Sequence, residues 1–343
     1  MIDWVTAMLP CVHVPIDGGA VFKLAPGGEM VWLTQCGFMV EGSHDANIRV
    51  RSIGGDGQGR ATQLLLDGNP SKFLQGHNLF GSDNLLDLVL DVFKRVAQAH
   101  RLTPTEAELQ AIEQGNYRLS RIDYNLSFEL PSLSDVKAWL RAAEFKSKSR
   151  HGRPSSKGGT LYYGKNSRRW SIKCYSKAEE IEAPKHRIPD ALPVEDLARW
   201  ADNKLRIELT LRTKELTELN HHYARSLRPE TLRALYFDYL RSLDMNEQLS
   251  LSTEELNSLP QRLRSTYILW NAGEDLRDTL PKATFYRHRR ELNELGIDIN
   301  LRKDVIDRSN VVPLVRVLEA APVGIPFWAF NDNLVHFSAR KSA

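Results

Sequence analysis

Cysteine is scarce in this chain. Three cysteines among 343 residues (Cys11, Cys36 and Cys174) show no CxxC spacing. That excludes a disulfide framework and makes a reducing, cytoplasmic setting the expectation. Long apolar runs are missing too. None approaches the roughly 20 residues that span a bilayer, so no membrane association is expected. The first ten residues, MIDWVTAMLP, carry an acid at position 3 and no basic segment, unlike a signal peptide. There is no internal repeat and no low-complexity tract. Excess charge of either sign is also lacking, with 46 Lys and Arg against 43 Asp and Glu. One absence is local: from Lys146 to Ala178 there is no Asp or Glu, while ten Lys and Arg fall there.

What is present fits a soluble globular protein, with 42% hydrophobic and 26% charged residues. The length suggests two domains, with three as an option. The acid-free stretch holds Lys146, Lys148, Arg150, Arg153, Lys157, Lys165, Arg168, Arg169, Lys173 and Lys177, together with Tyr162, Tyr163 and Tyr175. Cations that displace condensed counterions, interleaved with aromatics, suit a nucleic-acid backbone. A solvated basic loop is the alternative. Within the stretch, Arg169 to Lys177 alternates like a strand. Side chains two apart share a face, so Lys173, Tyr175 and Lys177 are expected on one side and Ile172 and Cys174 on the other. A phenol ordinarily ionises near pH ~10. Flanking ammonium groups would favour its phenolate and hold a phosphate beside it, placing a tyrosine to attack phosphorus. An edge-strand tyrosine with snorkelling lysines has the same pattern.

Residues 1 to about 75 read as short strands separated by glycine-rich turns, at Val12–Val14, Ala20–Leu24, Met30–Thr34, Ile48–Ser52 and Thr62–Leu66. Asn69 to Gly81 mixes polar and apolar residues without a helical period and reads as a strand end and loop. His77 and Asn78 sit in it where a ligand could be met. An apolar stripe at Leu85, Leu88, Val89, Val92, Phe93 and Val96 predicts a helix over Asn84 to His100. Further helices are expected at Thr105–Gln114, Ser134–Phe145 and Val194–Ala201. Tyr117 to Phe128 alternates, with Arg121, Asp123, Asn125 and Ser127 on one face. Leu205 to Arg212 alternates more cleanly still, with Arg206, Glu208, Thr210 and Arg212 opposite its leucines and Ile207. A carboxylate inside a strand needs a partner or a cation. From about Leu227 the chain turns helical. Gln261–Asn271, Gly273, Pro281 and Ala283–Leu295 suggest a helix-turn-helix arrangement whose last helix exposes Tyr286, Arg287, Arg289 and Arg290, suited to phosphate and groove contact or simply solvated. The fold class expected is α+β, a mainly antiparallel sheet with flanking helices followed by a helical region. The division expected is a catalytic domain at 1–225 and a helical DNA-binding region at 226–343.

If the three alternating strands are neighbours, Asp123, Tyr175 with its lysines and Glu208 share a site, with His77 at a fourth strand end. Two carboxylates and a histidine would make an oxygen-rich Mg²⁺ or Mn²⁺ site. The cation would polarise a phosphate while the tyrosine displaces its 3′-oxygen.

The sequence resembles the replication initiation proteins of filamentous bacteriophages, the gene II protein family, which start rolling-circle replication. The matching segments are Pro70-Ser-Lys-Phe-Leu-Gln-Gly-His-Asn-Leu-Phe-Gly81, Leu119-Ser-Arg-Ile-Asp123, Ser167-Arg-Arg-Trp-Ser-Ile-Lys-Cys-Tyr-Ser-Lys177, Leu205-Arg-Ile-Glu208 and Asn310-Val-Val-Pro-Leu-Val-Arg316. The resemblance implies a site- and strand-specific endonuclease that nicks supercoiled origin DNA, joins the 5′ end to tyrosine, frees a 3′-OH and reseals the displaced single strand. By motif position it puts the nucleophile on Tyr175, carboxylates on Asp123 and Glu208, and a histidine on His77. Host helicase and polymerase are partners implied by the same resemblance, with a homodimer as one assembly option. Many rolling-circle initiators hold metal with a His-hydrophobe-His pair. This chain has none, and its adjacent His221 and His222 would not share a strand face. Tyr162 and Tyr163 compete with Tyr175 as nucleophile. The alternative class is a non-catalytic DNA-binding repressor or copy-control protein using residues 260–300. An RNA-binding or host-interaction module has less support, since no aromatic pattern of an RNA-recognition sheet is present.

Overall fold

Alternation of apolar and polar side chains sets a large antiparallel sheet. The computed structural model describes residues 1–16, 19–149, 152, 154–245, 253–294, 297, 299 and 321–338. In chain order the elements begin with β1 (Ile2–His13), β2 (Ala20–Leu24), β3 (Met30–Gln35), β4 (Phe38–Glu41), β5 (Asn47–Ile53) and β6 (Ala61–Gly68). Then come α1 (Pro70–Gln75), α2 (Leu85–Ala99), α3 (Glu106–Glu113), β7 (Arg118–Glu129) and α4 (Leu133–Lys146). They are followed by β8 (Ser147–Lys148), β9 (Ser155–Lys157), β10 (Thr160–Tyr163), β11 (Trp170–Ser176), α5 (Lys177–Glu182), α6 (Val194–Ala201), β12 (Lys204–Arg212) and α7 (Thr213–Glu218). The described remainder is α8 (Pro229–Arg241), β13 (Asp244–Met245), α9 (Thr253–Ser258), α10 (Gln261–Asn271), α11 (Leu276–Thr279), α12 (Lys282–Glu294) and α13 (Phe327–Asn331). Among the described residues no helix is long and apolar enough to cross a membrane.

Nine strands pair in the order β4-β5-β6-β1-β7-β12-β11-β10-β9, every neighbour antiparallel. The expected neighbourhood of β7, β12 and β11 is therefore real, and it puts Asp123, Glu208 and Tyr175 on adjacent strands. The leucines and Ile207 of β12 and Ile122, Tyr124 and Leu126 of β7 share one core with α2, α4 and α8, including Leu88, Phe93, Trp139, Tyr236 and Leu240. Burying each such side chain stabilises the fold by about 1.5–3 kcal/mol. This core continues as far as Leu243. The α+β expectation holds, and a helical region follows.

Two of the elements that differ from the sequence reading bear on the site. β1 runs for 12 residues and lies centrally between β6 and β7, where only its last residues were expected as strand. Asn69 to Gly81, expected as strand end and loop, opens with α1. The Asn69 side chain accepts from the Lys72 N–H, Pro70 takes the first helical position, and Gly76 ends the helix at φ +85°. One and a half turns are too few to show a period.

In the helical region α10, α11 and α12 close on Leu263, Tyr267, Trp270, Leu276, Phe285 and Leu292. Buried His288 meets Thr266, Nδ1 to Oγ1, at 2.8 Å. Tyr286, Arg287 and Arg290 face outward, and Arg289 is half-buried. The chain then returns to the sheet. Val323 N–H donates to the Ser127 carbonyl at 2.8 Å, and Ala329, Leu334 and Val335 pack with Leu79, Phe80, Leu197 and Ala201. The motif at 310–316, Arg150 and Arg153 lie outside the described residues, as do the side chains of Lys146 and Lys148.

Candidate active site

The polar face of β7, β12 and β11 carries the site. Cα partners across it are Glu208 with Asn125, Thr210 with Asp123, Lys173 with Glu208 and Tyr175 with Arg206. Most of these residues are buried, but Lys173 reaches the surface. Its side chain is 34% exposed while Glu208 beneath it is 5% exposed. Lys173 Nζ donates to Glu208 Oε2 at 3.0 Å and lies 4.8 Å from the centroid of the Tyr175 ring. The Tyr175 hydroxyl donates to the same Oε2 at 3.5 Å. Asp123 is held by Arg121, with Nε to Oδ1 at 2.8 Å and Nη2 to Oδ2 at 2.5 Å.

Lys177 departs from expectation. Ser176 caps α5 by accepting from the Glu179 N–H, so the strand ends before Lys177. Its fully buried ammonium donates to Glu180 at 2.5 Å and to Asn78 Oδ1 at 3.0 Å. The two lysines therefore do not flank the phenol as a pair of free cations. Burial pushes the Tyr175 phenol well above its ordinary value, and the charges of Glu180 and Glu208 push it further. The phenolate expected from the sequence is disfavoured in this arrangement. Burial lowers Lys177, opposed by Glu180. Burial would raise Glu180, but the Lys177 ammonium overrides it and holds that carboxyl at about 2. Glu208 is raised to about 7 by burial, which Lys173 opposes and the charges of Asp3 and Asp123 reinforce. Burial works against the Lys173 ammonium, yet Glu208 more than restores it. Both partners thus hold their protons more tightly, because Lys173 answers one carboxylate while Glu208 faces burial and two further acids.

Asp3 was missed by the sequence reading. Ile2 pairs with Tyr124 and Trp4 with Asp123, so β1 has one residue more than β7 at this point. Such a bulge re-aims a side chain. The Asp3 Oδ1 accepts from Asn69 Nδ2 at 2.7 Å and from Asn78 Nδ2 at 2.9 Å. Arg206, fully buried, donates to Ser127 Oγ at 2.9 Å and to the carbonyls of Asn78, at 2.9 Å, and Leu79. Asp3, Lys177 and Arg206 together hold residues 78–79 against the sheet. An acid at position 3 was visible; its long-range partners were not.

His77 is buried elsewhere in this loop. Its Nε2–H donates to the Leu334 carbonyl at 2.8 Å, and Nδ1 accepts from the Leu79 N–H at 3.3 Å. Both ring nitrogens are used, so neither offers a lone pair to a cation. Among the described residues no three His, Cys, Asp or Glu side chains are gathered to hold a metal ion. The structure brings together Asp123 and Glu208 of the expected Mg²⁺ or Mn²⁺ ligands, each already facing a cationic side chain, and does not bring His77 to them. The three-ligand donor set therefore does not fit in this arrangement.

Of the competing tyrosines, Tyr163 is buried on the opposite face and bonds Ser147 Oγ through its hydroxyl at 2.5 Å. Tyr162 is half-buried on the face of Tyr175, as the Cα partner of Lys173. Among the basic residues, Lys165 and Arg168 are exposed, while Arg169 pairs with Glu215 and with Glu218 at 3.6 Å.

The family model for the N-terminal part of the phage replication-associated protein, the gene II product, matches residues 1–230, and the model for its C-terminal part matches residues 251–335. This chain belongs to the gene II replication-associated protein family. It is 46% identical over 345 residues, covering all of both chains, to the replication-associated protein of Enterobacteria phage I2-2. It is 24% identical over 330 residues to that of Salmonella phage IKe, covering 80% of this chain and 76% of the relative. The N-terminal family match contains the whole polar face, from Asp3 to Glu208.

Proposed function

We propose that this gene II family chain is a rolling-circle DNA replication initiator, a site- and strand-specific endonuclease acting through Tyr175. The observation that carries the reading is the joint placement of Tyr175, Lys173 and Glu208 on one sheet face, at the end of an acid-free basic stretch. The Tyr175 oxygen attacks the scissile phosphorus, the bond from phosphorus to the 3′-oxygen breaks, and a 5′-phosphotyrosyl link forms. Burial opposes a free phenolate, so the phenol loses its proton as it attacks. Glu208 Oε2, at 3.5 Å, is the acceptor in reach. The departing 3′-oxygen takes a proton from water. Lys173 offers positive charge to the phosphate oxygens. Attack of a 3′-OH on the phosphotyrosine reverses these changes and reseals the displaced strand. The bond energy is retained throughout.

Lys165 and Arg168 in the β10–β11 turn and Tyr286, Arg287 and Arg290 on α12 suit backbone contacts to origin DNA. Since His77 is not available to Asp123 and Glu208, no step here runs through a metal, and Mg²⁺ dependence is left as a variable of the assay. Supercoiled DNA carrying the encoding element's origin, incubated with wild type and Tyr175→Phe with and without Mg²⁺, tests the reading. Nicking by wild type and none by Tyr175→Phe supports it. Tight origin binding without a nick in any divalent metal would favour the repressor reading.

A further inference from the structure

A cavity of about 310 Å³ lies beside Tyr175, lined by Tyr162, Lys173 and Tyr175 from the sheet and by Glu179, Glu180 and His186 from the α5 side. Its rim is the β9–β10 turn, where Gly158 and Gly159 adopt positive φ. A Cβ on Gly159 would come within 3.2 Å of Glu179 Oε2, so the turn closes against α5. The reaction at Tyr175 accounts for the phosphate, but not for an aromatic ring on the same wall. Tyr162 shares that wall because it pairs with Lys173 across β10 and β11. The Lys165 ammonium lies 4.7 Å from its ring centroid. Its neighbour Tyr163 is buried in the core, so the hairpin presents one tyrosine of the pair to the cavity. A half-buried aromatic ring that lines a cavity beside lysines is suited to stack an unpaired base while cations hold the flanking phosphates.

We infer that this cavity is a nucleobase subsite, in which Tyr162 stacks on an unpaired base of single-stranded DNA next to the phosphate presented to Tyr175. Tyr162 is then a positioning residue. The inference rests on the proposed reaction for its location, but its test does not depend on cleavage. It uses full-length protein in the Tyr175→Phe background and a single-stranded origin oligonucleotide. 2-Aminopurine is scanned through the nucleotides flanking the nick, and Kd and fluorescence are read together. One position is expected to be quenched on binding. Tyr162→Leu should weaken binding about 5- to 150-fold, the range for losing one stacked base, and abolish that quench. Tyr162→Phe should keep both. Unchanged Kd and quench in a folded Tyr162→Leu protein would overturn the subsite. So would loss of binding equal in Tyr162→Phe and Tyr162→Leu, because the hydroxyl and not the ring would then matter. A separate nicking assay of Tyr162→Phe with Tyr175 intact reports on the second-nucleophile role: wild-type nicking and resealing supports stacking, and loss of resealing overturns it. Failure of the Tyr175 reading would appear as nicking by Tyr175→Phe, with these binding readouts untouched.

Discussion

Lowering the pH should destabilise this protein through His77. The ring is 2% exposed. Burial holds it at about 4 against an ordinary 6.5, the charges of Lys177, His44 and Arg206 act in the same direction, and the Leu334 carbonyl opposes them. Between those two values the unfolded chain binds a proton that the folded one refuses. The contribution is therefore fully present above about pH 6.5 and is lost as pH falls toward about 4. Integration gives a loss of about 2 kcal/mol at pH 5 and about 3 kcal/mol in all, from pKa values of 6.5 and about 4. The assay is urea unfolding of wild type and His77→Gln from pH 7 to pH 4. The variant should be less stable at neutral pH by about 1–3 kcal/mol, having lost bonds to Leu334 and Leu79. Its stability should fall less steeply on acidification, so that the two curves converge. Parallel curves would refute the buried, neutral histidine and return His77 to the role expected from its motif.

Arg206→Met removes a buried guanidinium that satisfies Ser127 and two carbonyls, and should cost about 3–5 kcal/mol in denaturant unfolding; a loss below about 1 kcal/mol would contradict the clamp on residues 78–79. Lys177→Met should release Asn78 and Glu180 and lower the rate of nicking more than the affinity for single-stranded origin DNA, read by comparing single-turnover rates with Kd. Arg287→Ala combined with Arg290→Ala should weaken duplex binding and reduce the slope of log K against log salt by about 2. An unchanged slope would show that α12 faces away from the DNA backbone.

Sequence periodicity was sufficient where a strand or helix is long and one face is buried. β7 and β12 were legible from alternation, α2 from its stripe and α6 from its bounds. Their polar faces carried Asp123 and Glu208 to adjacent strands as expected. β1 was not legible, because a bulge at Asp3 interrupts its alternation, Pro10 is unfavourable in a central strand, and its strand character comes from pairing with β6 and β7. With it went Asp3, whose carboxylate contributes to the field at Glu208 and Tyr175. The Gln75-Gly-His-Asn78 segment stood out as a motif with His77 as a candidate metal ligand, but its long-range partners did not. Gln75 and His77 bind the returning chain near Leu334 and His336, more than 250 positions away in sequence, and no local pattern encodes that contact. The protonation of Tyr175 was read from neighbours in sequence, Lys173 and Lys177. Burial and the acids that pair with those lysines push the phenol the other way.

Peptide mapping of the protein–DNA adduct shows whether Tyr175 becomes joined to DNA. Wild-type protein is incubated with supercoiled origin DNA, the nuclease-trimmed adduct is digested, and the modified residue is located by mass spectrometry. A nucleotide is expected on Tyr175, linked through its 5′-phosphate, and none with Tyr175→Phe. An adduct on Tyr162, or nicking that leaves no covalent link to protein, would contradict it.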